Sequence, residues 1–347
     1  PMPTFVGGGT GGVFTAAPAG LSITGGTGLV DLSASTPGTY TITNTVNVPG
    51  CALATFSEDI VVNGLPNATI AGTTSICPGA ALPNITVNLT AGIANWNLNY
   101  TFNGAPASAL VTTSPFVISG AAVGSYDLVS VTDGNGCTNT IAGNATISNF
   151  PVPVMNTLVD QEVCHGLNLS VQGFGSNLAG STFAWTNTSG INVGFGLSGT
   201  GNIPIFLASN TTGADIAVTV SVTPTSPQGC VGVAEDFVIT IHPNPTVSFY
   251  ADSLVGCEPF VTMFHNTTDI PGQNCVWDFG TGLGATGCDS VTGIFGSGVY
   301  SITLNVTTPF GCFGSASISN YITVYDQAEA EFSFAPQIIT IDDTEVQ

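Results

Sequence analysis

The chain has 347 residues, with 44 Gly, 21 Pro and 43% hydrophobic residues. It is too long for one small sandwich, too apolar for disorder, and too rich in Gly, Pro, Thr, Ser and Asn for long helices. It carries 21 acidic residues and neither Lys nor Arg, a formal net charge of −21, so nucleic acid and anionic membrane surfaces are excluded as partners.

No window offers the roughly 18 uninterrupted apolar residues of a spanning helix, and the evenly spaced strands and aromatic girdles of a lipid-facing barrel are missing. Membrane insertion is not expected. Without Lys or Arg the chain presents no site to trypsin-like proteases, which suits exposure outside the cell. A low-charge bias in a Thr/Asn/Gly-rich repeat accounts for the composition equally well.

Pro1 to Pro3 lead into a Gly-rich strand pattern with no basic n-region, so the sequence is expected to start inside a longer chain or after processing. Gly7 to Gly12 are turn or strand glycines, because no Lys follows and no helix is predicted to supply an anion-binding end. Farther along, a period of about 80 to 95 residues emerges in which a Cys precedes a Trp and then a second Cys. The sets are Cys77, Trp96 and Cys137; Cys164, Trp185 and Cys230; Cys257, Trp277 and Cys312. Gly136, Gly229 and Gly311 directly precede the second Cys. Gly50 and Cys51 repeat that ending, with Phe14 where a Trp is expected, which marks a truncated first repeat.

Gly-x-Tyr opens a late strand at Gly38 and Tyr40, Gly124 and Tyr126, and Gly298 and Tyr300; the third repeat lacks it. From Tyr300 to Val306, Tyr, Ile, Leu and Val share one face and Ser, Thr and Asn the other, the pattern of a half-buried strand. The predicted division is a truncated immunoglobulin-like repeat at 1–65, complete immunoglobulin-like repeats at 66–151 and 152–245, and another sandwich at 246–327. A fifth begins at 328–347 with a first strand carrying Phe332, Phe334, Ile339 and Ile341. Short Pro-containing junctions favour a rod-like array over flexing beads.

Trp277, Asp278, Phe279 and Gly280 resemble the Trp-Asp-Phe-Gly-Asp-Gly hallmark of polycystin-type (PKD) domains, with Thr281 in place of the second Asp, so 246–327 reads as PKD-like and 328–347 as the first strand of a further PKD-like domain. Val131 to Thr138, read as Val-Thr-Asp-Gly-Asn-Gly-Cys-Thr, resemble the signature of SprB-type repeats in gliding and adhesion proteins of Bacteroidota. Gly7 to Thr43 are similar to the Gly/Thr-rich modules beside such repeats in surface proteins exported by type IX secretion. These resemblances imply an all-β tandem array at the cell surface, and imply no chemistry.

Nine cysteines suggest disulfides and an oxidising compartment. Cys275 and Cys288 flank the Trp277 strand and its turn and are expected to pair. For the others the preferred scheme stays within domains: Cys77 with Cys137, Cys164 with Cys230, and Cys257 with Cys312. The rival scheme joins successive domains, Cys77 with Cys230 and Cys164 with Cys312. No Cys-x-x-Cys or Cys/His cluster has zinc-like spacing.

His165, His242 and His265 lie in no recognisable acid-base or nucleophile motif, so no catalysis is expected. Asp133 and Asp278 are candidate calcium ligands among acidic loop residues, but no complete calcium loop is present and solvated acids are the preferred reading. No other cofactor is expected. Trp96, Trp185 and Trp277 read as core residues because of their fixed place in the repeat.

The leading functional expectation is a structural or adhesive segment of a long surface fibre, meeting surface glycans, other cell-surface molecules or copies of itself. One alternative is the stalk or carbohydrate-binding portion of a secreted enzyme. Another is a filament subunit in which the strand after Glu329 completes the first unit of a neighbour. It ranks lower because that strand lacks the Cys that Cys51 needs under the intradomain scheme.

Overall fold

The computed structural model describes residues 1–271 and 274–333. Among these every regular element is a β-strand, so the fold is an all-β tandem array of immunoglobulin-like sandwiches. The chain divides into two compact units, Pro1–Pro151 and Val152–Gln347, each holding two of the predicted repeats.

In the first unit, residues 1–65 form a three-stranded sheet ordered Val13–Ala17, Gly38–Val46, Ala54–Val62, beside a small pair, Ser22–Ile23 and Val30–Asp31. The second repeat is a full sandwich. Asn67–Ala71, Ile85–Thr90 and Phe116–Ile118 make one sheet; Trp96–Phe102, Ala105–Val111 and Gly124–Thr132 join Asn144–Asn149 and Thr74–Ile76 in the other.

The second unit repeats this plan. In the third repeat the main sheet runs Gln161–Cys164, Glu235–His242, Ile216–Thr225, Thr182–Asn187, Ser198–Thr200. In the fourth it runs Val255–Cys257, Phe313–Tyr325, Gly298–Thr307, Asn274–Asp278, Gly284–Thr286. The facing sheet of the fourth is Phe249–Ala251, Phe260–Asn266 and Ser290–Phe295.

Alternation of apolar and polar residues puts one face of each strand into the core. Ile302, Leu304 and Val306 are fully buried, and Trp277 lies against the rings of Phe249 and Phe264 at centroid distances of 5.3 and 5.7 Å. Trp185 and Trp96 occupy the same place in their sandwiches and are 4% and 9% exposed. Burying such side chains stabilises each core by about 1.5–3 kcal/mol apiece.

The Gly-x-Tyr mark has a structural cause as well. Each tyrosine hydroxyl donates to a carbonyl four residues back: Tyr40 to Thr36, Tyr126 to Ala122, and Tyr300 to Gly296. The ring fills the core while its polar tip fixes the corner that leads into the strand. Residues 326–333 carry no strand, and the remainder of the expected Phe332 to Ile341 strand lies outside the described residues.

Candidate functional site: a disulfide-bonded junction between sandwiches

Each second cysteine of a repeat follows a tight hairpin built the same way. Four residues before it stands a short polar side chain, Asp133, Ser226 or Thr308, whose oxygen accepts from the cysteine N–H at 2.8, 3.0 and 3.1 Å. The cysteine carbonyl accepts from the N–H of that same residue, and the intervening glycine closes the turn onto its carbonyl. Gly136, Gly229 and Gly311 all sit at φ near +84°, where a Cβ is strained, and this explains why glycine precedes the cysteine every time.

Asp133 carries this role furthest. Burial pushes its carboxyl up, but N–H donors from Ile93, Cys137 and Asn135 outweigh that and hold it below the ordinary carboxylate range.

The first cysteine of each repeat sits at the opposite end of its sandwich. Cys164 ends a short strand that runs parallel to the last strand of its domain and lies beside His242; Cys257 lies likewise beside Tyr325. The last strand begins just after the second cysteine and ends at this point. At about 3.3 Å per residue, the two cysteines of one domain are therefore some 20 Å or more apart, whereas a disulfide needs Cα atoms within about 7 Å. The intradomain pairing is corrected on this ground. Cys164 bonds instead to Cys312 of the following sandwich, with a Cα–Cα distance of 5.4 Å. Cys77 and Cys230 are also disulfide-bonded, while Cys51, Cys137 and Cys257 are free thiols. Cys275 pairs with Cys288 across a 13-residue separation.

Around the Cys164–Cys312 bond the third and fourth sandwiches form a built junction. The imidazole of His242 lies flat on Phe310, with ring centroids 3.8 Å apart and planes 8° from parallel. Its Nδ1–H donates to Asp215 at 2.8 Å, and its Nε2, buried without a hydrogen-bond partner, stands 3.7 Å from Glu162 Oε2. Asn210, 2% exposed, donates to the carbonyls of Ile241 and Ala214 and gives its own N–H to His165 Nδ1. Asn244 in the linker donates to the His165 carbonyl, and Thr246 N–H donates to Asp269.

The linker itself is seated by glycine. Two residues after the second cysteine, Gly232 faces the Pro153 carbonyl and Gly314 the Pro245 carbonyl so closely that an added Cβ stands 2.2 and 2.4 Å from those oxygens. Asn139 holds the same position in the second repeat and donates to the Pro66 carbonyl. In the chain-entropy model the Cys164–Cys312 bond, with a sequence separation of 148, contributes about 5 kcal/mol and the Cys275–Cys288 bond about 3 kcal/mol.

The other candidate residues serve turns and surfaces. Asp278 Oδ1 accepts the Gly280 N–H in a two-residue turn. Among the described residues no three His, Cys, Asp or Glu gather to hold a metal. Trp277 and Trp96 donate their indole N–H to the carbonyls of Gly287 and Ala91. Sequence reading missed one arrangement: Ser290, His265 and Asp252 form a hydrogen-bonded series, with contacts of 3.0 and 2.9 Å. Cross-strand register creates it, since Ser290 lies opposite His265 and His265 opposite Tyr250, on which its ring stacks. The series stands on an exposed sheet face.

Residues 161–245 match the family model of a PKD-like domain. The match falls on the third sandwich, where the Trp-Asp-Phe-Gly motif does not occur, and covers about a quarter of the chain. No curated protein matches in sequence. Similar solved structures include a Ca2+-stabilised adhesin with which an Antarctic bacterium reaches out and binds ice. It is 14% identical, with 90% of this chain and 91% of that chain covered and a TM-score of 0.39. An I-band fragment of titin is 8% identical over 76% and 99% of the two chains, with a TM-score of 0.39. Sidekick-1 immunoglobulin domains are 11% identical over 91% and 74%, with a TM-score of 0.30.

Proposed function

We propose that this chain is a structural, adhesive segment of an extracellular surface protein, in which tandem sandwiches carry tension and present binding surfaces to other surface molecules. The observation that carries this reading is the Cys164–Cys312 bond: it ties successive sandwiches together, so tension crosses the bond and the chain between the two cysteines is held folded. Disulfides persist in oxidising compartments outside the cytoplasm, and a chain without Lys or Arg withstands trypsin-like proteases there. The finer assignment is a gliding or adhesion fibre of a Bacteroidota-type bacterium, exported by type IX secretion and meeting glycans or copies of itself. It rests on the Val131 to Thr138 signature, the Gly/Thr-rich stretch from Gly7 to Thr43 and the Trp277 to Gly280 motif.

The same reading assigns no catalysis and no obligate cofactor to these domains. Function belongs to sites rather than folds, and the Ser290–His265–Asp252 series, exposed on a sheet, is read as a cross-strand surface network. Antibodies raised against the chain are expected to label intact source cells and material shed from them. Labelling confined to lysed cells overturns the proposal.

A further inference from the structure

His242 is 4% exposed, and its two ring nitrogens meet different surroundings. Strand register explains why. His242 ends the middle strand of three: Cys164 lies beside it on Gln161–Cys164, and on the other side Ile216 pairs with Ile241. A carboxylate therefore reaches the ring from each flank. Asp215 comes from just before Ile216, and Glu162 from the position beside Thr240, two residues from Cys164 and so on the same face as His242. Phe310 of the fourth sandwich lies flat on the ring, with centroids 3.8 Å apart.

Asp215 Oδ1 accepts from Nδ1 at 2.8 Å. An ionised carboxylate cannot donate, so Nδ1 carries the proton of the neutral ring and Nε2 presents a bare lone pair. That lone pair is buried without a hydrogen-bond partner and faces Glu162 Oε2 at 3.7 Å. A buried acceptor left unpaired costs its desolvation, and a carboxylate beside it adds repulsion.

Two species could resolve this, and the distance decides between them. A proton on Nε2 falls short, because 3.7 Å lies beyond the reach of an N–H···O bond. Zinc bonds imidazole nitrogen and carboxylate oxygen at about 2.0–2.2 Å, so two such ligands at a tetrahedral angle stand about 3.4 Å apart, close to the separation found. Metal-binding imidazoles also characteristically donate their other N–H to a carboxylate, as His242 does to Asp215. His265, by contrast, engages both of its nitrogens with Ser290 and Asp252. The chain has neither Lys nor Arg, so no fixed cation of its own can neutralise Glu162.

We propose that His242 Nε2 and Glu162 bind a divalent transition ion of the zinc class, with Asp215 as the positioning residue that fixes the tautomer of the ring. Two protein ligands leave the remaining positions to water, which the 61% exposed side chain of Glu162 admits. The imidazole favours such an ion over calcium or magnesium, which take oxygen ligands. Bound there, it ties Gln161–Cys164 to Glu235–His242 at the point where Cys164 bonds to Cys312. The fold does not require it; the ion reinforces the junction.

The test is zinc titration of the full, oxidised chain near pH 7, after alkylation of Cys51, Cys137 and Cys257 has removed the free thiols as competing ligands. Calorimetry is expected to resolve one site per chain. Imidazole nitrogen-15 spectra are expected to show His242 Nε2 unprotonated beforehand and shifted by one equivalent of zinc, with His265 unmoved. His242→Asn abolishes the site, and Glu162→Gln weakens it at least tenfold. Asp215→Asn weakens it by about 10- to 100-fold and mixes the two tautomers of the free ring, a change that lost packing alone does not produce. Glu235→Gln, at the far end of the same strand, leaves binding unchanged. Recovery of the Cys164–Cys312 peptide shows that a variant is folded, and Glu162→Gln, altered on an exposed side chain, carries the test if His242→Asn is not. A His242 ring protonated at both nitrogens and indifferent to zinc overturns the proposal, as does undiminished affinity in Glu162→Gln. Surface labelling of source cells is independent of this outcome, so failure here leaves the proposed function to its own test.

Discussion

Replacing both Cys164 and Cys312 with serine is expected to unlock the second unit under force. Tension applied at residues 152 and 327 of the native chain enters the third sandwich, crosses the Cys164–Cys312 bond, and leaves through Phe313–Tyr325, the final strand of the fourth. Everything between the two cysteines is bypassed. With a chain reach of about 3.3–3.6 Å per residue, the short segments outside the bond release at most about 100 Å. In the double variant the 148 residues between those positions enter the force path, less the 13 still held by Cys275–Cys288. The contour gain is then about 470 Å. Single-molecule stretching reads this directly, as long unfolding steps present in the variant and absent from the oxidised native chain. Steps totalling several hundred ångströms in the oxidised native chain refute the reasoning, because tension then does not pass through this bond.

Gly314→Ala is expected to destabilise the fourth sandwich by about 1–3 kcal/mol, since its Cβ meets the Pro245 carbonyl. Gly213→Ala, with no atom within 4 Å of the new Cβ, stays near native in thermal melts. Asp133 has a lowered carboxyl pKa, so its stabilising contribution is full above the unfolded value of about 4 and is lost as pH falls through the folded value. Melting midpoints followed from pH 6 to pH 2 should therefore drop more steeply for the native chain than for Asp133→Asn. Trypsin leaves the reduced, denatured chain intact, because no Lys or Arg is present, whereas chymotrypsin fragments it; gel analysis checks both. A fluorophosphonate probe is expected to leave Ser290 unlabelled by mass spectrometry, and stoichiometric labelling would make the Ser290–His265–Asp252 series catalytic.

Strands and repeats were legible because each rests on local chemistry. Alternation from Tyr300 to Val306 announces a half-buried strand, and Trp at a fixed distance from the first cysteine announces a core position. Gly before the second cysteine was visible as a mark, but its reason lies in a hairpin closed by Asp133, Ser226 or Thr308 at φ values only glycine tolerates easily.

Disulfide connectivity was not legible: cysteines spaced regularly at strand ends favoured pairing within each domain, whereas Cys164 bonds to Cys312 of the next. What separates the two schemes is the last strand of each sandwich, which runs from one cysteine to the other and holds them apart. A signal was present in the aromatic residues opposite the first cysteines, His242 and Tyr325, though their role depends on parallel pairing that spacing does not reveal. The Ser290–His265–Asp252 series was hidden for the same reason, as it arises from cross-strand register between segments far apart in sequence.

Non-reducing peptide mapping of the purified, oxidised chain tests the junction between the third and fourth sandwiches most directly. Digestion with chymotrypsin and mass analysis should recover one peptide pair linking Cys164 to Cys312 and another linking Cys275 to Cys288, with Cys137 alkylated as a free thiol. Recovery of Cys164 bonded to Cys230, or of Cys257 bonded to Cys312, would contradict it.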